Sequence, residues 1–182
     1  MAKTINRIGF GQVEPNHLSG QRTGQIYAQL PAAADLKVLE NGQFAKYDYA
    51  NKEVNLTGAG EWMLVFNEVK LYDPRESYKD FALQTVNYTD GEMTPRLLKT
   101  NVGDHFTTNA FYKAGTKGAA LLTDDEVEGD TFNIEEGDLL KVDTNGFFIK
   151  GGDVDADPMV WQAAKIYTMP DGQAGVKVIR IK

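Results

Sequence analysis

The chain contains no cysteine. That excludes a disulfide framework, a thiol nucleophile, cysteine-ligated zinc and iron–sulfur clusters. Imidazole and hydroxymethyl groups are nearly as scarce: His17 and His105 are the only histidines, Ser19 and Ser77 the only serines. Neither serine lies in a G-x-S-x-G elbow, and the histidines show no H-x-x-x-H spacing. They read as ordinary polar residues. No run approaches the ~18 apolar residues of a membrane span, and the opening Met1–Arg7 has no apolar core of the signal-peptide kind. Gly115-Thr116-Lys117-Gly118 lacks the first half of a phosphate loop, so no cofactor is expected. Basic charge is in deficit, with 19 Lys and Arg against 26 Asp and Glu and a net of −7. That balance weighs against nucleic acid as the main partner.

What remains is a chain of 182 residues, 42% apolar and 25% charged, the composition of a globular protein. A chain of this length buries roughly 70% of its unfolded surface, enough to fold without a staple.

Charge is unevenly placed. Residues 1–30 hold Lys3, Arg7 and Arg22 against Glu14, a net of +2, which leaves −9 to the other 152 residues. The same stretch holds four Gly and four Gln, and its apolar residues follow neither a helical nor a sustained strand period. Residues 1–30 are therefore read as an extended arm that becomes ordered against a partner. Its contact residues are Lys3, Arg7, Ile8, Phe10, Leu18, Arg22, Ile26 and Tyr27, and the body over 31–182 is expected to fold without it. A subdivision of that body near residue 100 is left open.

From Pro31 onward the punctuation is that of an all-β chain. Asn41-Gly42, Asp90-Gly91, Asn145-Gly146 and Asp171-Gly172 are turn dipeptides that tolerate positive φ. Between them lie short runs rich in β-branched and aromatic residues. Glu61-Trp62-Met63-Leu64-Val65-Phe66 is continuously apolar after its first residue, which suits a strand buried on both faces. The apolar phase slips at Val178-Ile179, a mark of a bulge. Helix signals are few: Asp73-Pro74-Arg75-Glu76 forms a capping box before one or two turns. The fold class is a β-barrel or β-sandwich with short helical turns and an extended N-terminal arm. Trp62, Leu64, Phe66, Leu140, Val142, Phe148, Trp161, Ile166, Val178 and Ile181 are the expected core.

Carboxylates are the one abundant chemical resource. Eight fall between Asp124 and Asp138, with no Lys or Arg between Lys117 and Lys141. They read as a solvated acidic edge, or as a face for a cation or a basic partner. Asp153, Asp155 and Asp157 open like a calcium loop, but Pro158 stands where the sharp turn needs Gly and Ala164 where the bidentate Glu belongs. They are weak metal candidates. Trp62, Trp161 and the tyrosines supply rings for a sugar platform, though such rings more often fill a core.

The order of features resembles the head decoration, cement or auxiliary capsid proteins of tailed bacteriophages. A Gly/Gln-rich arm (Ile8-Gly9-Phe10-Gly11-Gln12-Val13, then Gly20 to Pro31) precedes a β body. That body contains Val102-Gly103-Asp104-His105-Phe106-Thr107-Thr108-Asn109 and Glu136-Gly137-Asp138-Leu139-Leu140-Lys141-Val142-Asp143, and closes on Trp161–Gly172. The resemblance implies a non-catalytic virion protein, assembled in the host bacterial cytoplasm and held on the capsid surface. Its partners would be the major capsid protein and further copies of itself, as a dimer or trimer, with no direct nucleic acid and no membrane. The body is longer than that of the smallest decoration proteins, which leaves room for a head-fibre base or head–tail joining protein. A carbohydrate- or small-ligand-binding module and an enzyme using paired carboxylates are the alternatives from other classes.

Overall fold

The computed structural model describes residues 3–6, 11–18, 24–34, 36, 38–66, 86–87, 93–111, 131–169, 172 and 174–182, with backbone alone for 3–6, 38, 86–87 and 131–133. Among these residues there are fourteen strands and no helix. The first five are β1 (Lys3–Asn6), β2 (Val13–His17), β3 (Val38–Leu39), β4 (Phe44–Asp48) and β5 (Glu53–Asn55). Then come β6 (Met63–Val65), β7 (Val86–Asn87), β8 (Leu97–Leu98) and β9 (His105–Thr108). The last are β10 (Thr131–Ile134), β11 (Leu139–Val142), β12 (Phe148–Lys150), β13 (Trp161–Thr168) and β14 (Ala174–Arg180). The capping box at Asp73–Glu76 lies outside the described residues.

Two antiparallel sheets dominate. One has six strands in the order β12-β11-β13-β14-β9-β2, the other four in the order β5-β4-β6-β8. Two small pairs, β1-β10 and β3-β7, flank them. Neither large sheet closes on itself, so the all-β architecture is the sandwich-like alternative and not the barrel.

The four-stranded sheet is buried on both faces, and strand alternation explains how. Phe44, Leu64 and Leu98 face the six-stranded sheet, where they meet Phe106, Leu140, Phe148, Trp161, Val176 and Val178. Their sequence neighbours Ala45, Met63, Val65 and Leu97 point the other way, into a second core with Tyr47, Val54, Ala32, Leu36 and Leu39. The register keeps the two sets apart, with Phe44 opposite Leu64 and Ala45 opposite Met63, then Leu64 opposite Leu98 and Val65 opposite Leu97. The continuous apolar run at 62–66 is thus one strand serving two cores.

Of the expected core, Leu64, Leu140, Phe148, Trp161 and Val178 are buried, while Trp62, Phe66, Val142 and Ile166 pack half-buried against the main cluster. Ile181 is only half-buried at the chain's end. The apolar slip in the last strand has a different cause from a bulge within it. Val176, Val178 and Arg180 all point inward along β14, and the bulge lies on its partner β13, between Ala163 and Lys165. Arg180 takes the inward position because it has partners there: Thr100 through the carbonyl and, at 3.0 Å, the hydroxyl, and Glu61 at 3.4 Å. Glu61 also pairs with Lys99 at 2.8 Å, so one carboxylate clamps the two sheets together.

The turn dipeptides differ in what they connect. Asn145-Gly146 closes a true hairpin between β11 and β12, with Gly146 at φ 82° and Asp143 Oδ1 accepting from the amides of Asn145 and Phe147, both at 2.9 Å. A Cβ on Gly146 would collide with the Phe44 carbonyl, so the residue answers to a close approach between the sheets as well as to the turn. Asn41-Gly42 has the expected positive φ at Gly42 but joins no hairpin. β3 pairs with β7 and β4 with β5 and β6, so this turn hands the chain from one sheet to another. Asp90-Gly91 lies outside the described residues.

The described part of residues 1–30 is extended, but it is not held apart from the body. β1 pairs with β10. β2 forms an edge of the six-stranded sheet against β9, where Pro15 and an irregularity after it suit an edge position. Val13 and Leu18 are buried in the main core. The Gly11 amide donates to Glu40 Oε2 at 2.7 Å and the Gln12 amide to Asn109 Oδ1 at 2.8 Å, both buried. These contacts tie the described part of the stretch to the body's own sheet and core. A segment poor in periodic apolar residues cannot build a core alone, but it can complete one by pairing.

Candidate functional site

After the edge strand, residues 25–33 run as a strap across the outer face of the four-stranded sheet. Strap and sheet are joined at both sheet edges. At the β8 edge the Lys99 amide donates to the Gln25 carbonyl (2.8 Å) and the Tyr27 amide to the Leu97 carbonyl (3.3 Å). At the β5 edge the Val54 amide donates to the Pro31 carbonyl (2.8 Å) and the Ala33 amide to the Val54 carbonyl (2.9 Å). Between them, the amide and hydroxyl of Thr94 both donate to the Leu30 carbonyl. The strap roofs the second core.

A groove of about 130 Å³ opens where the strap crosses β4, lined by Tyr27, Ala28, Leu30, Tyr47, Tyr49 and Lys52. Three rings form a stack along it. Tyr27 and Tyr47 lie 5.4 Å apart between centres at 28°, and Tyr47 and Tyr49 lie 5.7 Å apart at 15°. Alternation along β4 puts Tyr47 on this face and carries Tyr49, two residues on, beside it. Tyr47 is buried and its hydroxyl donates to the Ala28 carbonyl at 2.7 Å. Tyr49 is 63% exposed and Ile26, at the strap's start, 56%.

The turn after β4 shapes one wall. Asp48 Oδ1 accepts from the amides of Ala50 (3.0 Å) and Asn51 (3.1 Å), and Oδ2 from Asn51 Nδ2 (3.0 Å). The bonds from Asn51, backbone and side chain, hold the Asp48 carboxyl below its ordinary value. Lys52 then sits at φ 58°, a left-handed conformation for a residue with a side chain, at a cost of order 1 kcal/mol.

Burial pushes the Tyr47 hydroxyl up to about 12, and its neighbours Tyr49 and Tyr27 act in the same direction. Because the folded chain holds this proton longer than the unfolded chain does, stability is full below pH ~10 and falls as pH rises from there towards about 12. Unfolding monitored by far-ultraviolet circular dichroism should show that alkaline loss, and Tyr47→Phe should lessen it. An unchanged alkaline limb in the variant would assign the loss to other groups.

Set against protein-family models, curated proteins and solved structures, the chain matches none. Function therefore has to be read from the placement of its own residues.

Of the expected contact residues, Tyr27 lines this groove, and Ile26 is exposed at the strap's start, bridged to Leu98. Leu18 is 6% exposed inside the main core, so it is unavailable to a partner: its position just after the edge strand turns it inward. Lys3 lies in β1, opposite Ile134. Arg7, Ile8, Phe10 and Arg22 lie outside the described residues, as do Tyr72, Tyr78, Tyr88 and Tyr112. Trp161 is fully buried, and Trp62 carries the Lys46 ammonium 4.3 Å from its ring centre, so neither offers an open stacking face. The Y-x-Y spacing of Tyr47 and Tyr49 is visible in the sequence, but their meeting with Tyr27 depends on the strap.

Two of the three acidic candidates accept from the local backbone. Asp153 Oδ1 accepts from the amides of Asp155 (2.8 Å) and Ala156 (3.3 Å), and Asp157 Oδ2 from the amide of Asp153 (2.8 Å). Asp157 also faces Lys141 at 3.6 Å. These bonds build a turn on the Asp153 and Asp157 carboxylates. Among the described residues no three ligating side chains cluster around a common point. In the acidic stretch, Asp138 pairs with Lys150 at 2.6 Å. Burial pushes its carboxyl up, but Lys150 and the Glu135 amide outweigh that and hold it below the ordinary value.

Proposed function

We propose that the chain is a non-catalytic structural protein of a tailed-phage virion that binds the assembled capsid and stabilises it. The observation that carries the reading is the pinned strap with its open aromatic groove. Residues 25–33 are tied to both edges of one sheet, yet leave Ile26 exposed on the strap and Tyr49 exposed at the groove. A preformed apolar surface loses little conformational freedom on docking, so less of the burial is offset by ordering. That suits a protein laid once onto a finished shell. The major capsid protein is the partner, with copies of this chain grouped as dimer or trimer on the shell's outer face.

Mass spectrometry of purified particles tests the reading. The chain should appear at a fixed copy number relative to the major capsid protein, and should stay bound in high salt because apolar contacts are not screened. Its absence from washed particles would end the proposal. The stacked tyrosines favour one second reading, a carbohydrate-binding module, since parallel rings with an exposed member suit stacking against a sugar face. Binding on a glycan array, lost in Tyr49→Ala, would favour that reading over the first.

A further inference from the structure

We propose that His17 and His105 together bind one divalent transition-metal ion of the zinc, nickel or copper class. These are the only histidines in the chain, 88 positions apart in sequence, and strand pairing brings them opposite one another. β2 and β9 run antiparallel, and the irregularity after Pro15 sets His17 opposite His105. Phe106, the next residue along β9, points into the main core, so His105 stands on the outer face of the sheet. His17 is exposed there and His105 half-buried.

The ring centres are 5.2 Å apart with planes at 65°. Two imidazoles bound to one tetrahedral ion, each through a nitrogen about 2.0–2.1 Å from it, place their ring centres roughly 5 Å apart. Rotation about the metal–nitrogen bonds leaves the angle between planes free. The observed spacing therefore meets that requirement without backbone movement.

The tautomer is also prepared. His105 Nδ1 lies 3.2 Å from the Gly103 carbonyl, which can only accept. Nδ1 therefore carries the proton, and in the neutral ring Nε2 keeps the lone pair. Metal-bound histidines are commonly oriented in this way, with the non-ligating nitrogen donating to a carbonyl. The platform is fixed nearby: the Thr107 hydroxyl donates to Asn16 Oδ1 at 2.8 Å and is bonded to the Tyr167 hydroxyl. Two side-chain ligands leave the other positions to water, so the ion is exchangeable, unlike one in a closed four-ligand site. Imidazole nitrogen selects zinc, nickel and copper over magnesium and calcium.

The test uses the full chain without an affinity tag. Calorimetric titration with zinc and with nickel chloride should give one ion per chain. His17→Gln and His105→Gln should each weaken binding about tenfold or more, and the double variant should lose the stoichiometric event. Copper(II) added to the parent protein should show two equatorial imidazole nitrogens by electron paramagnetic resonance, and one in each single variant. Should either variant fail to fold, the parent spectrum decides. No stoichiometric binding, unchanged binding in the double variant, or an oxygen-only copper spectrum would overturn the proposal.

Discussion

Trp161→Ala is expected to lower stability by about 3–5 kcal/mol, the range for emptying an aromatic core position. Trp161 sits at the centre of the main core. Its ring centre lies 5.3 Å from that of Phe106, 5.5 Å from Phe148 and 5.9 Å from Phe44, so rings from both large sheets meet on it. Removing it leaves a cavity that three rigid rings cannot collapse into. Trp161→Phe should cost much less. The buried Trp161 Nε1 has no hydrogen-bond acceptor among the described residues, and replacing an unpaired buried donor by carbon offsets part of the lost packing. Urea titrations of the two variants measure the difference. Equal losses would mean that shape at this position counts for nothing, or that the indole is bonded after all.

Deleting residues 2–17 is expected to lower the melting temperature by roughly 10 °C or more. The deletion strips the edge strand from β9, empties the site of Val13, and takes away the amides that Glu40 and Asn109 accept. Each buried hydrogen bond lost costs about 0.5–1.5 kcal/mol, and about 1.5–3 kcal/mol where the acceptor is charged. It also bares β9, whose unpaired backbone can template self-association, so size-exclusion chromatography should show aggregates that the parent protein lacks. A truncated chain that melts with the parent and stays monodisperse would restore the view of residues 1–17 as a dispensable arm.

The pairing of residues 13–17 has little trace in the sequence. Strand character at residues 13–17 rests on Val13 alone among large apolar residues, because Glu14, Pro15, Asn16 and His17 face solvent or the sheet's outer side. A strand that contributes one inward residue has no period to detect. The all-β class was legible because turn dipeptides and β-branched runs are local signals. The doubly buried strand at 62–66 was legible from its unbroken apolar run. What could not be read is which strands meet. The tyrosine groove needs the strap to cross β4, and the histidine pair needs β2 to lie against β9 in one register. Both are long-range pairings with no local trace. Arg180 shows the converse: an inward charged residue looks like a phase error until Thr100 and Glu61 are in place.

The most direct test of capsid binding through the strap is co-sedimentation with purified assembled shells. The parent chain and an Ile26→Asp/Tyr49→Ala variant would be compared. Both positions are exposed, so the variant should stay folded, losing about 0.5–1.5 kcal/mol where Tyr49 no longer stacks on Tyr47. The parent should saturate the shells at a fixed ratio to the major capsid protein, and the folded variant should bind at least about tenfold more weakly, a difference of roughly 1.4 kcal/mol. A folded parent that stays in the supernatant, or a variant that reaches full occupancy at the same concentration, would contradict it.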